Sequence, residues 1–187
     1  MGTIDLQLRF LLAAWLLVAC DASSPDVDNP GSDGFNPATA TGDIVLAFTD
    51  AGGVTQTCSD TLPVCGDPLP QCGPNEVLGA PDAASFTLPR GGRLDIGFRC
   101  AAIVERGSPN PGELTFDFRI WGAQQPTTNA IIEVSFDGTT YQSLPTRLTA
   151  SDQSFDLSEL SLDVVRFVRI IDTGAGDLVT IDAIEAL

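Results

Sequence analysis

Apolar residues recur at every second position in short runs along this chain, and that period restricts those runs to half-buried β-strands. Leu94, Ile96 and Phe98 alternate with Asp95, Gly97 and Arg99, and Leu114, Phe116, Phe118 and Ile120 with Thr115, Asp117, Arg119 and Trp121. Ile132, Val134 and Phe136 alternate with Glu133 and Ser135. Successive strand side chains point to opposite faces, so each run turns one face to a core and the other to water. Asp137-Gly138 follows before Tyr141, and Asp-Gly between strands predicts a tight hairpin with positive φ at both turn residues. Val164 to Ile171 is nearly continuous in apolar residues, as a central strand covered on both faces is, and Leu178 to Ile184 supplies a closing strand. Adding Ile44 to Phe48 and Phe86 to Leu88 gives about seven to nine strands. No amphipathic helix of useful length interrupts them. The expected fold class is all-β, a two-sheet antiparallel β-sandwich over residues 43–187.

The chain has 187 residues, of which 43% are hydrophobic and ten are Phe, enough apolar material to close one core without metal or partner. Its net charge of −16 sets 25 acidic residues against nine arginines, with no Lys and no His. A phosphate backbone needs a basic stripe, and the arginines are scattered singly among acidic neighbours, so nucleic acid is not an expected partner. Without His there is no imidazole base for a Ser or Cys nucleophile and no His ligand for a catalytic zinc. Carboxylate chemistry remains, but Glu113 with Asp117, or Asp182 with its neighbours, stand at spacings any acidic β protein shows. Gly174-Ala175-Gly176 reads as a turn before the last strand, since no helix follows to make a phosphate cradle. No enzyme activity is expected.

The N-terminus carries a different signal. Arg9 precedes ten apolar residues, Phe10 to Ala19, which stop at Cys20. A membrane span needs about 20 residues, so this run has the length of a signal-peptide core instead. Leu17-Val18-Ala19-Cys20 resembles the bacterial lipobox, in which the Cys thiol receives diacylglycerol and the cleaved terminus a further fatty acid such as palmitate. The resemblance implies a signal peptide over residues 1–19 and a lipidated Cys20. It also implies an exported protein anchored to a bacterial membrane, on its periplasmic or cell-surface side. More than one acyl chain makes such an anchor stable. Asp5 offsets Arg9, and Asp21 resembles an inner-membrane retention signal of one bacterial lineage, which leaves the choice of membrane open. Residues 20–42 are rich in Asp, Ser, Pro, Asn, Gly and Thr and too poor in apolar side chains to offset the entropy of ordering. They read as a disordered linker, with Phe35 the one residue able to dock.

Cys58, Cys65, Cys72 and Cys100 remain after lipidation. An even count in an exported chain argues for two disulfides. Zinc competes weakly, since there is no CxxC pair and no His. Three pairings are possible, and the preferred one joins Cys58 to Cys65 and Cys72 to Cys100, tying a long Pro-rich loop to a strand end.

The ordered series Val77 to Asp82, Phe86-Thr87-Leu88, Gly91 to Phe98, Ile132 to Gly138, Arg166 to Ile170 and Ile181 to Glu185 resembles galactose-binding-like, discoidin-like jelly-roll domains of bacterial cell surfaces. The likeness covers residues 76–187 and implies a non-catalytic module that binds sugars, lipids or proteins, often with a structural calcium. Such a calcium places Asp82 and Glu185 as its carboxylate ligands, hard oxygen donors that backbone carbonyls would complete; the plainer reading makes both surface carboxylates. Trp121 and Tyr141 fall on or beside outward strand positions and are the candidate ligand-binding rings, able to stack on a sugar, or else to cover a sheet edge. The expected function is a membrane-anchored binding domain for a glycan or a surface protein. The alternative is a structural protein of the cell envelope with no small ligand. Mass spectrometry of the protein purified from its host is expected to find the lipid mass on Cys20, and Cys20→Ala is expected to release the chain into the medium.

Overall fold

The computed structural model describes residues 40–68, 72–107, 115–125, 127–160 and 162–187. Cys20, the signal peptide, Asp21, Phe35 and Glu113 lie outside the described residues. The described chain forms strands β1 (Ile44–Thr49), β2 (Thr55–Thr57), β3 (Phe86–Thr87), β4 (Arg93–Gly97), β5 (Ile103–Val104), β6 (Phe118–Trp121) and β7 (Ala130–Ser135). It continues with β8 (Gln142–Ser143), β9 (Gln153–Phe155), β10 (Val164–Val165), β11 (Phe167–Asp172), β12 (Thr180–Ile181) and β13 (Ala183–Ala186). A single turn of 3-10 helix spans Asn75–Val77.

These strands make an all-β sandwich in which every pairing is antiparallel. One sheet has six strands in the order β2-β1-β4-β11-β7-β8, and a three-stranded sheet runs β13-β6-β9. The short pairs β3–β12 and β5–β10 complete the set. The period of two is what separates inside from outside. Leu94 and Ile96 of β4, Ile132 and Val134 of β7, and Val168 and Ile170 of β11 are fully buried. They belong to the same apolar cluster as Phe118 and Ile120 of β6, Phe155 of β9 and Ile184 of β13. Phe118 and Phe155, cross-strand partners, stack with ring centroids 5.2 Å apart. Each such side chain contributes about 1.5–3 kcal/mol by leaving water. Residues 40–42, within the expected linker, run beside β13: Ala40 is buried, Gly42 N donates to Ile184 O, and Thr41 bridges Glu185.

Two alternations end earlier than expected. Phe116, read as an inward residue, is exposed, whereas Asp117, read as outward, is 1% exposed. The strand begins only at Phe118 because Asp117 turns inward, where its carboxylate accepts from Leu157 N at 2.7 Å and Arg106 N at 2.8 Å. Burial pushes this carboxyl above the ordinary range, against the pull of those two N–H groups. Phe136 likewise is exposed, since β7 stops at Ser135. The expected turn also differs: Gly138 has φ 75°, but Asp137 does not share the left-handed conformation. The Asp137 carboxylate instead gathers Thr139 N and Thr140 N, both at 2.8 Å, into a wider loop. The run from Val164 breaks at Arg166, so β10 pairs with β5 and β11 with β4 and β7.

The cysteines form two disulfides, but not in the preferred pairing. Cys58 joins Cys72, and Cys65 joins Cys100. Cys58 lies just past β2, where its N–H donates to Leu46 O, and Gly73 packs on Val45 and Phe48, which brings Cys72 back over β1. Asp43 accepts from Arg99 N and Cys100 N, and the Arg99 guanidinium reaches Asp67 O, so the Cys65 segment is drawn to the end of β4. Peptide mapping without reductant is expected to recover 58–72 and 65–100 as the linked pairs. Cys58→Ala with Cys72→Ala should lower stability in a denaturant titration by roughly 3 kcal/mol, the loop-closure value for a loop of that size.

Candidate functional site

The outer face of the six-stranded sheet carries one row of cross-strand partners that passes through all six strands: Thr57, Ala47, Asp95, Arg169, Glu133 and Ser143. At its centre Arg169 Nε and Nη2 donate to the two oxygens of Asp95, each at 2.9 Å. Nη1 lies 3.6 Å from Glu133 Oε2, and Ser143 Oγ donates to Glu133 Oε1 at 3.2 Å. Tyr141, in the loop before β8, lays its ring against the guanidinium, 3.7 Å from centroid to the central carbon. A cation that close to a ring face is held by the ring quadrupole as well as by its carboxylates. Burial disfavours the Arg169 charge, but the hydrogen bonds and charge of Asp95 outweigh it and raise the Arg169 pKa. Burial, reinforced by Asp95 and opposed by Arg169, raises the Tyr141 phenol.

A bulge on β1 builds the wall on one side. Val45 pairs with Ile96 and Ala47 with Asp95, leaving Leu46 as an extra residue. Such an insertion puts neighbouring residues on one face. Leu46 thereby joins Ile44, Phe167, Leu62 and Tyr141 in a small outer apolar cluster, while its carbonyl accepts from Cys58 N and Ser59 N. Leu62, from the disulfide-held loop, packs over the glycine at position 97, where a Cβ would stand 2.6 Å from Leu62 Cδ1. The opposite wall is the 136–140 loop, where exposed Phe136 makes the rim. The Thr140 and Thr139 N–H groups hold the Asp137 carboxyl well below its ordinary range.

Between the two walls lies a groove of about 520 Å³, floored by Ala47, Asp95, Arg169 and Tyr141 and edged by Arg93, Arg166, Ser59 to Leu62 and Phe136 to Thr139. That volume is in the range of sites for small organic ligands. Ala47, which has no side chain beyond Cβ, leaves the floor open beside the ion pair.

The residues singled out from sequence are dispersed. Tyr141 is in the groove; Trp121 is on the outer face of the three-stranded sheet, where its Nε1 donates to Glu185 Oε2 at 2.9 Å and Arg119 covers its ring at 5.0 Å. The two rings therefore do not share a site. Asp82 accepts from Ala84 N, and its own N–H donates to Asp182. Among the described residues no group of three or more His, Cys, Asp or Glu gathers to hold a metal ion. Asp82 and Glu185 are each hydrogen-bonded within their own loop or sheet. The arginines and Asp95 were not singled out as site residues. Asp95 and Arg169 are charges inside apolar strands, in Leu94-Asp95-Ile96 and Val168-Arg169-Ile170, and that is the signal that marks them.

Comparison with protein families, with curated proteins and with solved structures gives no match for this chain. Function therefore has to be argued from the site itself. Tyr141 is the single tyrosine of the chain, so a near-ultraviolet tyrosinate titration reads it alone. Its midpoint is expected above the ordinary value near 10. Since the folded state keeps the proton longer than the unfolded one, stability should fall as pH rises past that value, through the folded midpoint.

Proposed function

We propose that this chain is an exported, lipid-anchored protein whose β-sandwich is a non-catalytic module that binds a glycan in the groove on the outer face of the six-stranded sheet. One observation carries the proposal: a groove of about 520 Å³ in which aromatic surface, Tyr141 and Phe136, stands beside polar groups already fixed by the Asp95–Arg169–Glu133 row. A sugar ring presents one apolar face and a rim of hydroxyls, so it is complementary to a ring next to fixed donors and acceptors. Preset side chains lose little entropy on binding. Two disulfides fit a chain exported to an oxidising compartment, and the lipobox at Cys20 supplies the anchor. The likeness to galactose-binding-like domains points the same way. The second hypothesis, an envelope protein without a small ligand, gives the groove no occupant.

Glycan-array binding by the full-length Cys20→Ala protein, followed by calorimetry on the best hit, tests this reading. Phe136→Ser, at an exposed rim position, is expected to weaken binding about ten-fold, equivalent to about 1.4 kcal/mol, with an unchanged thermal midpoint. An array with no hit, together with a pulldown that returns one defined protein partner, would favour the envelope reading instead.

A further inference from the structure

The groove brings three arginines together on a strongly negative molecule. The chain carries nine arginines against a net charge of −16, and three of them, Arg93, Arg166 and Arg169, line this one groove. They are not equivalent. Arg169 is neutralised by the two-pronged contact with Asp95 and by Glu133. Arg166 spends its Nε and Nη2 on the backbone carbonyls of Phe98 and Arg99, neutral acceptors, and forms no ion pair among the described residues. Arg93 comes no nearer to a carboxylate than 3.6 Å, at Asp95 Oδ2, an oxygen already taken by Arg169 at 2.9 Å. Its Nε is buried with no hydrogen-bond partner among the described residues, while the side chain as a whole stays 39% exposed.

A guanidinium is a rigid fork of five donors that suits a carboxylate held by two parallel hydrogen bonds. A buried donor without an acceptor is costly, and a small rotation that turns the Arg93 fork toward an incoming carboxylate removes that cost. Three carboxylates line the groove with them: Asp95 is paired with Arg169, Asp137 is held by neutral N–H groups of its own loop and keeps its charge, and Asp60 is exposed on the disulfide-held loop. The arginines of the groove without a hydrogen-bonded carboxylate are therefore Arg93 and Arg166.

Resting on the glycan reading above, we propose that the ligand is an acidic saccharide, with a uronate-type carboxylate paired to Arg93 and Arg166 supplying a second positive charge along the groove. On a molecule of net charge −16 the groove lining is balanced, three arginines against three aspartates, so an acidic sugar meets less repulsion there than elsewhere on the surface.

The test titrates the full-length Cys20→Ala protein with a tetragalacturonate, with its carboxyl-reduced neutral counterpart and with tetraglutamate. The acidic sugar is expected to bind at least ten-fold tighter than the neutral one. Arg93→Gln, which keeps the length and the polarity, should erase most of that ratio by lowering affinity for the acidic sugar far more than for the neutral one, with an unchanged thermal midpoint. Equal binding of both sugars, or an Arg93→Gln variant that keeps the ratio, overturns the acidic assignment and leaves the glycan reading standing. Binding of tetraglutamate above either sugar overturns both, as does no binding of any probe together with an empty glycan array.

Discussion

The contact between Asp95 and Arg169 governs how the six-stranded sheet is assembled, because it sits where β4 and β11, the two middle strands, pair side by side. Strand side chains repeat every two residues, so a slip of one residue in either strand would carry the charges into the core and bring Leu94 or Ile170 into water. The desolvation cost of an unpaired carboxylate or guanidinium in an apolar interior is several kcal/mol, far above that of any local adjustment. The register that satisfies the pair is also the register that fills the core. The outer row from Thr57 to Ser143 and the inner cluster are two consequences of one alignment.

How much of this could be read in advance depended on the range over which the information acts. The alternations at Leu94 to Ile96, Phe118 to Ile120 and Ile132 to Val134 are local, and each appears as a strand with the expected face buried. The alternation failed at Phe116 and Phe136, which lie two residues before β6 and one residue after β7. Period alone cannot tell a strand from the loop that continues its rhythm, and Asp117 shows why: a carboxylate able to gather two backbone N–H groups outcompetes water for that position. The strands β2, β5 and β9, of two or three residues, have no period to detect.

The groove was less readable than the core. Tyr141 was identifiable as an aromatic outside its strand, but its partner Arg169 lies 28 residues further along the sequence and meets it only through the β7–β11 pairing. Cysteine pairing escaped for the same reason. Sequence spacing favours neighbours, whereas the actual links depend on where the β1 bulge and Gly97 allow the loop to lie down. Trp121 and Tyr141 look alike in sequence and end on different sheets, one pinned by Glu185 and the other by Arg169.

The crossed order of the two disulfides has a topological effect on the loop that walls the groove. With 58 bound to 72 and 65 to 100, a single peptide cleavage at any point from residue 58 to residue 100 leaves both halves covalently joined. Two sequential links would not protect every bond: with neighbours paired, one protease cut between residues 65 and 72 would separate the chain. A nicked molecule of the actual connectivity keeps its loop tethered over the sheet, and the Leu62 contact can re-form without any search through solution.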